Sequence, residues 1–115
     1  TESLVKIIGV ASALGTSTVH KWLEVPFTSD LSRVGFAYTG PMIMIQDEKS
    51  NKPSEIVKEY CQGFAQTQNV YGTLLGRNIL FAEQDPLILA EAISSVWKDG
   101  FKIDSVIDRY FNNKN

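Results

Sequence analysis

The chain has 115 residues, of which 43% are hydrophobic and 21% charged, and its formal net charge is −2. This length and composition predict a single folded domain over residues 1–115 and exclude a disordered chain. The 11 basic and 13 acidic side chains are well mixed. Because they form no basic stripe, we expect no nucleic-acid partner and no anionic membrane surface.

The chain contains one cysteine, Cys61, so an intramolecular disulfide is excluded. No apolar run is long enough to cross a bilayer, and residues 1–3 do not begin a signal peptide. These features predict a cytoplasmic protein that does not enter a membrane.

The amino-terminal quarter predicts a strand followed by a helix. Residues 4–11 are rich in Val and Ile and short enough for a buried strand. The small residues that follow predict a loop over 12–18. A helix through Val19, Trp22 and Leu23 is then expected, capped by Thr16 or Ser17 and ended by Pro26.

Two apolar runs, residues 33–38 and 42–45, flank the dipeptide Gly40-Pro41. This arrangement predicts a β-hairpin with a loop of about three residues. The polar residues 46–52 are expected to form a loop.

Pro53 predicts the start of a second helix, because apolar residues then recur at helical spacing as far as Ala65. This spacing places Cys61 on the apolar side, where free cysteine is typically a small buried residue. Periodicity does not decide between helix, strand and loop for residues 66–77.

The carboxy-terminal third carries the clearest signals. Residues 79–82 predict a buried strand, and a helix follows with Asp85 as its cap, Pro86 in its first turn and Gly100 just past its end. A last helix over 103–111 is expected, capped by Asp104. The complete order is β-α-β-β-α-β-α-α, an α/β or α+β fold with a mixed sheet of about four strands and helices packed on it.

One candidate binding site is the loop Gly15, Thr16, Ser17 and Thr18. Between a strand and a helix start, its backbone N–H groups would favour phosphate or carboxylate. The alternative is an ordinary turn with a good helix cap, since the loop matches neither common phosphate-binding glycine motif.

The second candidate is Arg77, at the end of the polar segment 66–78. A guanidinium can hold a carboxylate or phosphate with two hydrogen bonds. The alternatives for this segment are a polar connection or a contact between subunits. If the protein is an enzyme, His20, Arg77 and Glu83 are the candidate base, anion clamp and acid or metal ligand. His20 has no visible partner, so a surface histidine is its simpler interpretation.

The many apolar and aromatic residues predict a homo-oligomer. The favoured function is a non-catalytic regulatory, ligand-binding or assembly subunit that self-associates and binds a small anionic ligand. The alternative is a small enzyme whose site is completed at a subunit interface. The sequence shows no metal-binding pattern and identifies no cofactor.

Overall fold

The computed structural model describes residues 1–15, 17, 19–46, 52–100 and 102–112. The elements confirm an α/β fold. In chain order they are α1 (Glu2–Ala13), β1 (Leu23–Pro26), α2 (Leu31–Ala37), β2 (Met42–Ile45), α3 (Pro53–Gln66), β3 (Val70–Leu74), α4 (Arg77–Leu80), α5 (Pro86–Lys98) and α6 (Ile103–Ile107), followed by a π-helical turn, Asp108–Asn112.

The sheet has three described strands in the order β1-β2-β3, and both pairings are parallel. Leu23 pairs with Met42 and Met42 with Val70 at the amino end, and Ile45 pairs with Pro26 and Leu74 at the carboxyl end. The predicted mixed sheet of about four strands is therefore wrong in its strand directions and its strand number among the described residues.

The predicted hairpin is half correct. Residues 42–45 form β2, but most of residues 33–38 lie in α2, which connects two parallel strands. Leu31 and Val34 are fully buried on the inner side of α2. A short apolar run does not by itself distinguish a strand from a buried helix. Gly40 and Pro41 therefore lie in the connection from α2 to β2 and not in a hairpin turn.

The predicted strand at 4–11 and the predicted helix after it are both wrong. Residues 4–11 lie in α1, where Leu4, Val5 and Ile8 contact the core at helical spacing. The residues expected to form a helix contain a turn and then β1, whose Val25 is fully buried. The Val and Ile content of α1 resembled that of a strand, and periodicity over eight residues did not overrule it.

The predicted strand at 79–82 is also wrong. The third strand lies earlier, at Val70–Leu74, in the segment that periodicity left undecided, and Ile79 belongs to the single turn of α4. Val70 and Ile79 are both buried. Both short segments contain apolar residues that become buried, so apolar content did not show which of the two forms the strand.

The two predicted amphipathic helices are confirmed as α3 and α5. The Asp85 carboxylate accepts a hydrogen bond of 2.8 Å from the Leu87 backbone N–H, and Pro86 lies in the first turn of α5. Gly100, just beyond the helix, has a φ of 64°, which favours glycine. The last helix begins after Lys102, with Asp104 inside its first turn, so the predicted Asp104 cap is wrong.

The two faces of the sheet differ. On one face Val25, Met42, Met44 and Val70 are at most 1% exposed, and they belong to the same buried cluster as residues of α2, α3 and α5. On the opposite face, which we call the open face, Glu24 and Pro26 are exposed and Ile43 and Ile45 are half-buried. Successive strand residues point to opposite faces, so β1 and β2 each contribute to both faces.

Candidate functional site

The loop at Gly15 and Ser17 follows the carboxyl end of α1, not a strand. Thr16 and Thr18 lie outside the described residues. The Lys21 ammonium donates to carbonyl oxygens at the end of α1, at 2.8 Å to Ser12 and 3.4 Å to Ala11, and also to Leu14. A helix carboxyl end attracts cations. The helix start that was to favour an anion here is therefore not part of this loop.

The enzyme hypothesis requires His20, Arg77 and Glu83 to converge. His20 lies in an exposed turn that precedes β1, at the amino end of the parallel sheet. Arg77 begins α4 directly after β3, at the carboxyl end, and exposed Glu83 follows α4. Strands of four residues span about 13 Å. One copy of the chain therefore holds His20 at the opposite end of the sheet from Arg77.

A network of polar side chains lies at the carboxyl end of the sheet. Gln46, which follows β2, donates its side-chain N–H to the Glu59 carboxylate on α3. The Asn78 side chain donates at 2.6 Å to the Gln46 carbonyl oxygen, and at 3.5 Å to the Tyr60 hydroxyl. The network connects β2, α3 and α4 at the end where parallel sheets typically bind ligands.

Asn78 is 6% exposed, and its side-chain oxygen, Oδ1, is buried and has no hydrogen-bond partner among the described residues. Buried polar atoms in folded proteins almost always have partners, so an orphan acceptor at a sheet terminus marks a candidate binding position. Apart from the neighbouring residues Leu75 and Arg77, a Cβ placed on Gly76 would have this oxygen, at 3.8 Å, as its nearest described atom. Gly76 therefore lies beside the buried Oδ1.

Sequence reasoning included Arg77 but did not select Gln46, Glu59 or Asn78 as a cluster. Asn78 belongs to the polar segment 66–78 that was singled out as a source of binding groups. Gln46 was assigned to a polar loop, and Glu59 falls in the helix that was predicted from Pro53 to Ala65. Their partnership depends on β2 lying between β1 and β3, which local sequence patterns do not reveal.

A cavity of about 880 Å³ lies elsewhere, lined by residues of α2, of the α3–β3 connection and by Trp97. Two of its amide side chains, those of Gln66 and Asn69, have backbone partners. Gln66 accepts from the Leu31 backbone N–H at 2.5 Å, and Asn69 donates to the backbone oxygens of Tyr38 and Gly35 at 2.6 and 3.2 Å. These bonds hold α2 in place. Among the described residues, no side chain that lines this cavity has a buried polar atom without a partner, in contrast to Asn78.

Cys61 is buried on the inner side of α3, as predicted. Burial raises the pKa of its thiol. Because the thiolate is the reactive form, this environment opposes a nucleophilic role.

Within the ranges that the structure describes, no three His, Cys, Asp or Glu side chains group as metal ligands. Over the same ranges, every helix falls short of the length and apolar character needed to cross a membrane.

The fold and the carboxyl-end network define an α/β protein with a parallel sheet and a polar site at its strand termini. Residues 1–95 match the Cgl0159-like family, and the chain therefore belongs to that family. Comparison with curated proteins and with solved structures gives no match.

Proposed function

We propose that the protein is a ligand-binding α/β subunit that holds a small anion at the carboxyl end of its sheet and self-associates. The observation that carries the proposal is the position of Arg77 and Asn78 at the first turn after β3, where the Asn78 oxygen has no partner within the described part of the chain. Ligands of parallel α/β sheets bind outside the carboxyl ends of the strands.

Arg77 supplies the positive charge for the anion. It is exposed and lies next in sequence to Gly76, whose missing side chain leaves room for a ligand close to the backbone. A guanidinium matches the planar geometry of carboxylate and the oxygen spacing of phosphate. We therefore assign anion binding to Arg77 and do not extend the assignment to the Gly15–Thr18 loop.

The test is titration calorimetry with inorganic phosphate, acetate and propionate on the wild-type protein and on Arg77→Ala. We expect the substitution to weaken binding at least about tenfold, because a charged hydrogen bond is lost. Arg109→Ala is the matched control, since Arg109 pairs with Asp99 at 3.1 Å in a different part of the fold. Equal affinities for wild type and Arg77→Ala would contradict the assignment.

Self-association is supported by exposed apolar side chains and by an extended shape. Ile7 and Val10 on α1 and Leu14 just past its end are 63–66% exposed, and Leu74 at the edge of the sheet is 47% exposed. The radius of gyration is 15.0 Å, whereas a compact chain of this length has about 13 Å. Large apolar patches on a folded protein typically contact a partner.

Light scattering over a range of concentrations tests this part of the proposal. We expect a mass above that of one 12.8 kDa chain. Val10→Lys tests the α1 surface and Leu74→Lys tests the edge of the sheet. A charge at the interface opposes association, and a charge elsewhere does not. A monomer mass at all concentrations would remove self-association and leave the anion test unaffected.

The enzyme alternative has a narrower requirement. Because His20 and Arg77 lie at opposite ends of the sheet, His20 from a second copy would have to approach Arg77. No described contact favours that arrangement, so we do not advance it.

A further inference from the structure

We infer that the Asn78 side-chain oxygen accepts a hydrogen bond from a hydroxyl group of the bound ligand, so the ligand is a small anion that also carries a hydroxyl. This inference rests on the proposed anion site and adds a second recognition point to it. It assigns Asn78 to binding and Glu59 and Gln46 to positioning.

The polarity of the site is set by Glu59. An ionised carboxylate only accepts hydrogen bonds, so the Gln46 amide must direct its N–H group toward Glu59 and its oxygen toward Asn78. Asn78 must then direct its own NH₂ group toward the Gln46 oxygen and the Tyr60 hydroxyl. The remaining Asn78 atom is an oxygen, and it requires a donor.

The donor is a hydroxyl rather than an ammonium group, because the neighbouring Arg77 is positively charged and repels a cationic ligand. A ligand carbonyl oxygen beside Oδ1 would place two hydrogen-bond acceptors next to each other, and neither would have a donor. The site should therefore favour a hydroxylated anion over both its deoxy and its keto counterparts.

Access to the oxygen is over Gly76. The φ of Gly76 is −111°, so alanine is permitted there by the backbone. Its methyl group would lie 3.8 Å from Oδ1, and outside Leu75 and Arg77 no other described atom would lie within 4 Å of it. Gly76→Ala therefore blocks the position without straining the fold.

The experiment compares ligands that differ at one group: lactate, propionate and pyruvate, with glycerol 3-phosphate against propyl phosphate as the phosphate pair. We expect wild type to bind each hydroxylated anion at least about tenfold more tightly than its deoxy counterpart. Gly76→Ala and Asn78→Leu should lose most of this preference. The pair that shows the larger preference identifies the anion as carboxylate or phosphate.

Glu59→Gln gives a test that does not depend on removing Asn78. A glutamine at 59 either donates or accepts, so Gln46 and Asn78 are free to reverse. We expect the ratio of lactate to pyruvate affinity to fall several-fold, with circular dichroism showing an unchanged fold. An unchanged ratio would show that Glu59 does not set the polarity.

The outcomes distinguish the two proposals. Equal binding of hydroxylated and deoxy anions, lost in Arg77→Ala, overturns this inference and leaves the anion site intact. Binding by neither class overturns both. A crystal of the lactate or glycerol 3-phosphate complex with only a water at Oδ1 also overturns the inference.

Discussion

The two faces of the sheet are made by the same strands but have opposite surroundings. In β2, Met42 and Met44 are fully buried beneath the helices, whereas Ile43 and Ile45 are half-buried on the open face. All four residues are apolar, so composition does not distinguish the faces. Parallel sheets are ordinarily covered on both sides, whereas the open face leaves Glu24 and Pro26 of β1 exposed.

Residues on the covered face bury more apolar area than residues on the open face. We therefore expect truncations on the covered face to cost more stability than truncations on the open face.

The largest effect is expected for Met44→Ala. Removing a fully buried methionine side chain typically costs about 2–5 kcal/mol of unfolding free energy. Ile43→Ala, one residue away on the same strand, is the matched control and should cost about 1 kcal/mol, because it buries less area. Urea denaturation of both variants checks this, and equal losses would break the distinction between the faces.

A smaller effect is expected for Gly63→Ala on α3. A Cβ there would lie 2.3 Å from the Met44 sulfur and 2.8 Å from its terminal carbon. Overpacking costs about 1–3 kcal/mol, offset by about 1 kcal/mol of helix propensity, so we expect a net loss of about 1 kcal/mol.

The control is Gly9→Ala on α1, where a Cβ meets nothing within 4 Å and the protein should become more stable. In a Met44→Val background the Gly63→Ala effect should reverse its sign, as measured by a double-mutant cycle. A loss of the same size in both backgrounds would show that the Met44 side chain does not cause the clash.

The Asp85 cap stabilises the start of α5, and α5 packs on α3 on the covered face of the sheet. Asp85→Ala should lower thermal stability by about 1 kcal/mol, because the Leu87 N–H loses its acceptor. Asp85→Asn keeps an acceptor oxygen and should retain most of the stability. If asparagine costs as much as alanine, the cap is not the source of the effect.

The smallest effect is a pH dependence from Cys61. Burial raises the thiol pKa in the folded protein, whereas the unfolded chain ionises near its ordinary value of about 8.5. The contribution of the buried thiol to the free energy of unfolding is fully present below that pH. It is lost as the pH rises toward the folded pKa, because the thiol of the unfolded chain releases its proton first. Stability measured from pH 7 to 10 should therefore fall less in Cys61→Ala. Rapid alkylation of the native thiol at pH 7 would argue against burial.

The correct parts of the sequence analysis share a physical basis. α3 and α5 were predicted because they have full helical periods and strong end signals, such as the Asp85 carboxylate and the positive φ of Gly100. The errors fall on the short elements and on α1, whose Val and Ile content resembled that of a strand. Residues 31–37 and 77–80 form helices only because long-range packing buries Val34 and Ile79.

The candidate site was predictable only as a segment. Arg77 was selected by its chemistry, and Asn78 lay beside it in a stretch rich in hydrogen-bonding groups. The interaction with Gln46 joins residues 32 positions apart. Strand order determines that interaction, and the incorrect hairpin and strand assignments placed β2 in the wrong surroundings.

The seven-residue α2 depends on a distant part of the chain at both ends. The backbone N–H of Leu31, its first residue, donates to the Gln66 side chain. The Asn69 side chain donates to the backbone oxygens of Gly35 and of Tyr38, which follows the helix. During synthesis, α2 emerges well before these two amides exist. We therefore expect α2 to be cleaved by proteases until Gln66 and Asn69 have been synthesised. In the folded protein, we expect the amide protons of α2 to exchange with solvent when the segment that holds Gln66 and Asn69 opens.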